Sequence, residues 1–151
     1  MSGLLNKPSY VIADASSLVR AALTPASAAR CLVDTALAYG LLAASGPILD
    51  EVEEVLGRPK FERWLPEADR LRFVWRLRIA ILLLEPGEAV RACRDPSDDK
   101  YLEAALAAAR AAGGPEAVVL VSDDRDLLTL DPWRGIRILK PEAAFSLLAH
   151  G

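Results

Sequence analysis

The segment Ala117-Val118-Val119-Leu120-Val121 is apolar at every position. A strand with one face in water alternates apolar and polar side chains. An unbroken apolar run of this length instead reads as a strand buried on both faces. Tyr10 to Ala13 reads the same way, as a buried first strand that ends at Asp14. Leu41 to Ser45, Ala80 to Leu84 and Ile136 to Leu139 are three further candidate strands. Helical patterns fill the gaps. Ala26 to Tyr39 has helical spacing. Pro47 opens a helix to about Leu56, which Gly57 and Pro59 end. Glu67 to about Ile79 is charged and amphipathic. Asp95-Pro96-Ser97-Asp98 reads as a helix start, with Asp95 as the cap and Pro96 as the first helical residue; that helix runs to about Ala112 and stops at Gly113-Gly114. Arg125 to Leu130 is a short helix or turn, and Pro141 opens a terminal helix. Strands alternating with helices predict a three-layer α/β/α fold with a mainly parallel central sheet of about five strands. The chain, residues 1–151, has the length of one domain.

The side-chain inventory removes whole classes of chemistry. The single histidine, His150, stands one residue from the C-terminus. A Ser-His-Asp triad, a Cys-His pair and a His-rich metal site are therefore excluded. Two cysteines, Cys31 and Cys93, make neither a disulfide framework nor a zinc site. The longest strongly apolar run, Ile79 to Leu84, is far short of the roughly 18 residues that a membrane span needs. Met1 to Pro8 lacks the basic-then-apolar pattern of a leader, so a cytoplasmic protein without a membrane partner is expected. Catalysis, if present, must run on carboxylates, hydroxyls or a bound metal.

The carboxylates are placed to do so. Sites in open parallel sheets lie at the carboxyl ends of the strands. Asp14 ends strand one, and Asp123, Asp124 and Asp126 follow strand four. Asp95, Asp98 and Asp99 open the helix that leads into strand four. On the helix from Pro47, Asp50, Glu53 and Glu54 point away from the stripe of Ile48, Val52, Val55 and Leu56, whereas Glu51 borders it. Taken singly, Asp95 and Asp98 are better read as capping groups than as ligands, and Asp99 suits a first helical turn. Convergence of four segments is what points to a site. Oxygen-only clusters suit Mg²⁺ or Mn²⁺.

These segments resemble a known family. Val11-Ile12-Ala13-Asp14-Ala15-Ser16-Ser17-Leu18-Val19 resembles the opening motif of PIN-domain nucleases. Ile48 to Phe61 resembles the second motif, in the branch whose members are toxin components of type II toxin–antitoxin systems. Arg94-Asp95-Pro96-Ser97-Asp98-Asp99-Lys100-Tyr101-Leu102 is similar to the third, and Val121-Ser122-Asp123-Asp124-Arg125-Asp126-Leu127-Leu128 to the fourth. The resemblance runs in order from about Tyr10 to Leu139. It implies an acidic tetrad of Asp14, Glu51, Asp99 and Asp124 as catalytic and metal-ligating residues, with Ser122 and Asp126 as accessory positions. Many members carry Asp-Thr-Asn in the first motif, where this chain has Asp14-Ala15-Ser16. Ser16 keeps a hydroxyl that could orient the first acid or a water, and Ala15 loses a hydrogen-bonding group. The implied activity is a Mg²⁺- or Mn²⁺-dependent endoribonuclease. The implied partners are RNA, an antitoxin protein and a second copy of the chain in a homodimer.

RNA requires cations, and the net charge of −3 does not supply them globally. Locally, Arg58 to Arg78 holds seven cations against three acids, interleaved with Phe61, Trp64, Phe73 and Trp75. Arg58, Lys60, Arg72 and Arg76 are the candidate RNA contacts. The same pattern also fits a solvated helix face with aromatics in a core or a partner contact. Two other functions stay open: a PIN-like scaffold that binds RNA or protein without cutting, and a phospho-acceptor signalling domain. The second lacks an acceptor aspartate after strand three, where Leu84-Glu85-Pro86 stands.

Overall fold

The computed structural model describes residues 7–150. Most of the Met1 to Pro8 segment lies outside the described residues. Five parallel strands are present: β1 (Tyr10–Ala13), β2 (Ala43–Ser45), β3 (Leu82–Leu84), β4 (Val118–Val121) and β5 (Arg137–Leu139). They form a three-stranded sheet in the order β1-β4-β5 and a two-stranded sheet of β2 and β3. The expected single sheet is thus divided. One parallel bridge, Val11 to Leu42, joins its parts, with Val11 N–H donating to the Leu41 carbonyl at 2.8 Å. All four residues of β4 and the last three of β1 are buried, which requires helices on both faces of the sheet.

Seven helices supply that cover. They are α1 (Ala15–Leu23), α2 (Ala28–Ala38), α3 (Gly46–Leu56), α4 (Glu67–Ala80), α5 (Asp99–Ala112), α6 (Arg125–Leu128) and α7 (Pro141–His150). α5 packs across β1 to β4, while α7 packs on β4, β5 and α2. Periodicity alone does not reveal α1. Its start signal is Asp14, whose side chain accepts from the Ser17 N–H at 2.9 Å. Gly113 stops α5 in the left-handed region at φ 87°, a backbone conformation that costs a side-chain-bearing residue energy. The Asp95 cap forms, with its carboxylate accepting from Ser97 N–H at 2.9 Å, but it opens a short 3₁₀ turn over Pro96–Asp98 ahead of α5. No helix of the described residues is long and apolar enough to cross a membrane.

α4 corrects the cationic stripe. Its buried residues are Arg70, Val74 and Leu77, at helical spacing, and Arg70 is only 1% exposed. The Arg70 guanidinium donates to the carbonyls of Leu65 (2.8 Å), Leu56 (2.5 Å) and Arg58 (3.2 Å), and pairs with Glu62 at 2.8 Å. It therefore ties the end of α3 and the following 3₁₀ turn to α4, and is no RNA contact. Arg70→Ala should destabilise the protein by about 2–4 kcal/mol, because three carbonyls lose their donor. Glu62→Gln should cost far less, since Glu62 is largely exposed. Urea unfolding of both variants checks this; equal losses would show that the ion pair, and not the carbonyl bonds, carries the stability.

Candidate active site

The site begins with strand register. β1 and β4 pair with Ala13 opposite Val121, so the next residues, Asp14 and Ser122, leave the sheet side by side. Both are buried. Ser122 Oγ donates to Asp14 Oδ2 at 2.5 Å and accepts from the Asp124 N–H at 2.9 Å. Burial pushes the Asp14 carboxyl up, and the hydrogen bonds from Ser122 and Ser17 oppose that. Ser16, read as able to orient the first acid or a water, is exposed and makes no hydrogen bond to Asp14; Ser17 N–H and Ser122 take both carboxylate oxygens. The reason is helix geometry, because a cap carboxylate reaches the N–H three residues on. Asp126 is exposed; its N–H reaches Asp124 Oδ1 at 3.2 Å, so it contributes backbone rather than side chain to the turn.

Glu51 arrives from α3 and is half-buried, while Asp50, Glu53 and Glu54 are exposed. That is the orientation read from the helical wheel. Two residues of α5 hold it. Tyr101 Oη donates to Glu51 Oε1 at 2.7 Å and accepts from Ala15 N–H at 3.2 Å. Lys100 Nζ lies 2.7 Å from the same oxygen. Burial and the Glu51 carboxylate raise the Tyr101 pKa, so the phenol keeps its proton and donates. Tyr101 thus links Glu51 to the first turn of α1, beside Asp14. Sequence reasoning misses both Lys100 and Tyr101, because a tyrosine on the apolar face of a helix reads as core.

The acids of the third motif divide their roles. Asp99 is buried, and its Oδ1 accepts from the N–H groups of Ala92 (3.1 Å) and Cys93 (2.8 Å). Burial alone would raise the Asp99 carboxyl; those backbone bonds outweigh it and hold it below the usual range. Asp98, expected as a cap, makes no capping bond. It lies against Asp124, and burial together with the Asp124 charge pushes its carboxyl up to about 6. The Cys93 thiol, raised to about 12 by burial and then by Asp99, also feels Asp98 and Asp124. The third and fourth segments therefore meet, with Asp98 beside Asp124. One helical residue turns the side chain by about 100°, so only the tertiary packing decides which of two adjacent aspartates faces the partner segment.

A family model for the PIN domain matches residues 10–126. The chain belongs to the PIN-domain family. The crystal structure of PAE2754 from Pyrobaculum aerophilum has a similar fold, at TM-score 0.64 and 21% identity, over 94% of this chain and 90% of that one. No curated protein matches the sequence. A PIN domain has a nuclease-type fold, and in this chain Asp14 and Asp124 follow the carboxyl ends of parallel strands, where sites in open α/β sheets lie. Among the described residues no three His, Cys, Asp or Glu side chains stand close enough to hold one ion as they are. The donor set still fits a hard divalent cation. It is all oxygen, it contains two neighbouring carboxylates, Asp98 and Asp124, that form no ion pair among the described residues, and at Glu51 an ammonium already stands in for a cation.

The Asp98 shift carries a sign. Its folded pKa lies above that of the unfolded chain, so between about pH 4 and about pH 6 the folded state holds a proton that the unfolded chain has lost. Stability contributed by Asp98 therefore falls as pH rises through that window. In metal-free protein Asp98→Asn should flatten this fall and raise the melting temperature most at neutral pH. Melting curves across the window check it; parallel pH profiles for the two proteins would refute the raised Asp98 carboxyl.

Proposed function

We propose that this PIN domain is a Mg²⁺- or Mn²⁺-dependent endoribonuclease of the cytoplasm, and the toxin component of a type II toxin–antitoxin system. The observation that carries the reading is convergence. Ser122 ties Asp14, after β1, to the start of the turn that carries Asp124, Tyr101 ties Glu51 of α3 to the first turn of α1, and Asp98, at the start of α5, lies beside Asp124. Asp14, Glu51, Asp99 and Asp124 would hold the metal, joined by Asp98. Bound there, a hard divalent ion would activate water and stabilise charge in an in-line displacement at phosphate. The chain's own part is to orient the carboxylates. Ser122 fixes Asp14 and the Asp124 backbone together. Glu51, with Oε1 held by Tyr101, presents its other oxygen to orient or deprotonate a water.

RNA would approach over the Arg58 to Arg78 surface. Arg58 pairs with Glu54 at 2.9 Å, Arg72 with Asp69 at 3.0 Å, and Arg78 with Glu53 at 2.8 Å. These exposed pairs are weak and open to competition from phosphate. Lys60 lies 5.1 Å from the Phe61 ring, and Arg76 forms no ion pair among the described residues. Leu71, Trp75 and Ile79 on α4, with Leu82 and Leu83 on β3, are exposed. This apolar face is where a second copy or an antitoxin would be buried. The competing reading, a PIN scaffold that binds without cutting, draws on the internal hydrogen bonds that already occupy Asp14 and Asp99.

Asp124→Asn keeps the shape and the cap but loses an anion. It should reduce Mg²⁺-dependent RNA cleavage by about 100-fold or more with the circular dichroism spectrum unchanged. Cleavage by this variant at the unaltered rate, or no metal-dependent cleavage by the natural sequence, would defeat the nuclease reading. Asp14→Asn is a poorer test, since it also disturbs the buried cap of α1.

For RNA binding, Arg72→Ala with Arg76→Ala should reduce the salt slope by about 0.7 for each phosphate that is no longer neutralised. Filter binding over a salt series measures it. A slope that does not change would assign this face to a protein partner.

A further inference from the structure

Glu51 is the only acid of the site that already carries a cation from the chain itself, among the described residues. Arg20 reaches only Asp123, on the exposed rim, at 3.2 Å. Lys100 is placed for its contact with Glu51 rather than left free in solvent. Its side chain is 20% exposed, its ammonium also donates to the Ser97 carbonyl at 2.5 Å, and it stands 4.9 Å from the Tyr101 ring. Lys100 follows Asp99 directly, so the cation sits on the same helical turn as the acids it faces. The carboxylate does not depend on it for position, because Tyr101 Oη holds the same oxygen at 2.7 Å and is itself fixed by Ala15 N–H.

We propose that Lys100 is a built-in counter-ion that occupies Glu51 in the metal-free protein and gives the carboxylate up when a divalent cation enters, while Tyr101 keeps Glu51 in place through the exchange. This rests on the reading that the acids bind a divalent ion. The physical basis is charge. Glu51 and Asp14 both act on the Tyr101 hydroxyl, and carboxylates left unbalanced at one edge repel. A flexible ammonium relieves that repulsion, yet as a compact point charge on a four-carbon stem it can also swing away. Asp14 and Asp99, in contrast, are stabilised by backbone and hydroxyl donors that cannot leave. Lys100 and the metal ion therefore compete for one carboxylate, and the lysine lowers metal affinity.

The test is a Mn²⁺ titration by calorimetry, without RNA, on the full chain and its variants. Lys100→Met keeps the stem and removes the charge; it should tighten Mn²⁺ binding by about threefold, the scale of a partly exposed ion pair. Lys100→Gln should do the same and serves if the first variant folds poorly. Lys7→Met removes the same charge at the opposite end of β1 and should leave the affinity unchanged. In a Glu51→Gln background Lys100→Met should tighten binding much less, because only the weaker pull of Lys100 on Asp98 is left. Equal or weaker Mn²⁺ binding after Lys100→Met overturns the proposal, as does a tightening that is undiminished without the Glu51 charge. If the natural sequence binds no Mn²⁺ at all, both this proposal and the metal reading fall; if it binds and Lys100→Met changes nothing, only this proposal does.

Discussion

The hydrogen bond from Ser122 Oγ to Asp14 Oδ2 is the contact on which the site depends. A carboxylate buried at the end of a parallel strand is costly unless its lone pairs are met. Here one oxygen is met by the first turn of α1 and the other by the residue that leaves β4. The same serine accepts from the Asp124 N–H and so sets the path of the chain into α6. One hydroxyl thereby couples the ends of two strands and the starts of two helices. It can do so only because the β1–β4 register places Ala13 opposite Val121.

Tyr101 plays the corresponding part on the other side. Its hydroxyl joins α5, α3 and the N-terminus of α1 in one chain of hydrogen bonds. The two hydroxyls, Ser122 and Tyr101, do the positioning, and neither belongs to a carboxylate. The acids then differ by what surrounds them. Asp14 is buried and bonded, Asp99 is drawn to the 92–93 backbone, and Asp98 faces a like charge in Asp124. An acidic edge built in this way carries a mixture of protonation tendencies, and a cation entering it would act most on the pair left unbalanced.

The surface away from the site follows a different balance. Seven cations in Arg58 to Arg78 suggest a polyanion groove, yet Arg70 is used inside the fold and Arg58, Arg72 and Arg78 answer acids of α3 and α4. The exposed apolar residues of α4 and β3 lie among them. Charged and apolar side chains therefore alternate along the exposed part of α4.

Much of this is legible in the sequence because it is local. Apolar runs without alternation announce buried strands, and Asp14, Ser122 and Asp124 fall at their carboxyl ends. The turn of Glu51 toward the protein follows from the helical period, and Gly113 marks the end of α5. What stays hidden depends on distance along the chain. α1 is masked because its cap, Asp14, also ends a strand. The sheet divides because Leu42 alone reaches Val11. Arg70 counts with its neighbours in the sequence because charge says nothing of burial until α3 and the turn after it supply carbonyls. The choice between Asp98 and Asp99, and the hold of Lys100 and Tyr101 on Glu51 from about fifty residues away, are decided only by tertiary packing. A sequence determines which side chains share a helix face, but the partner that each meets is set by how the helices dock, and no local pattern carries that docking.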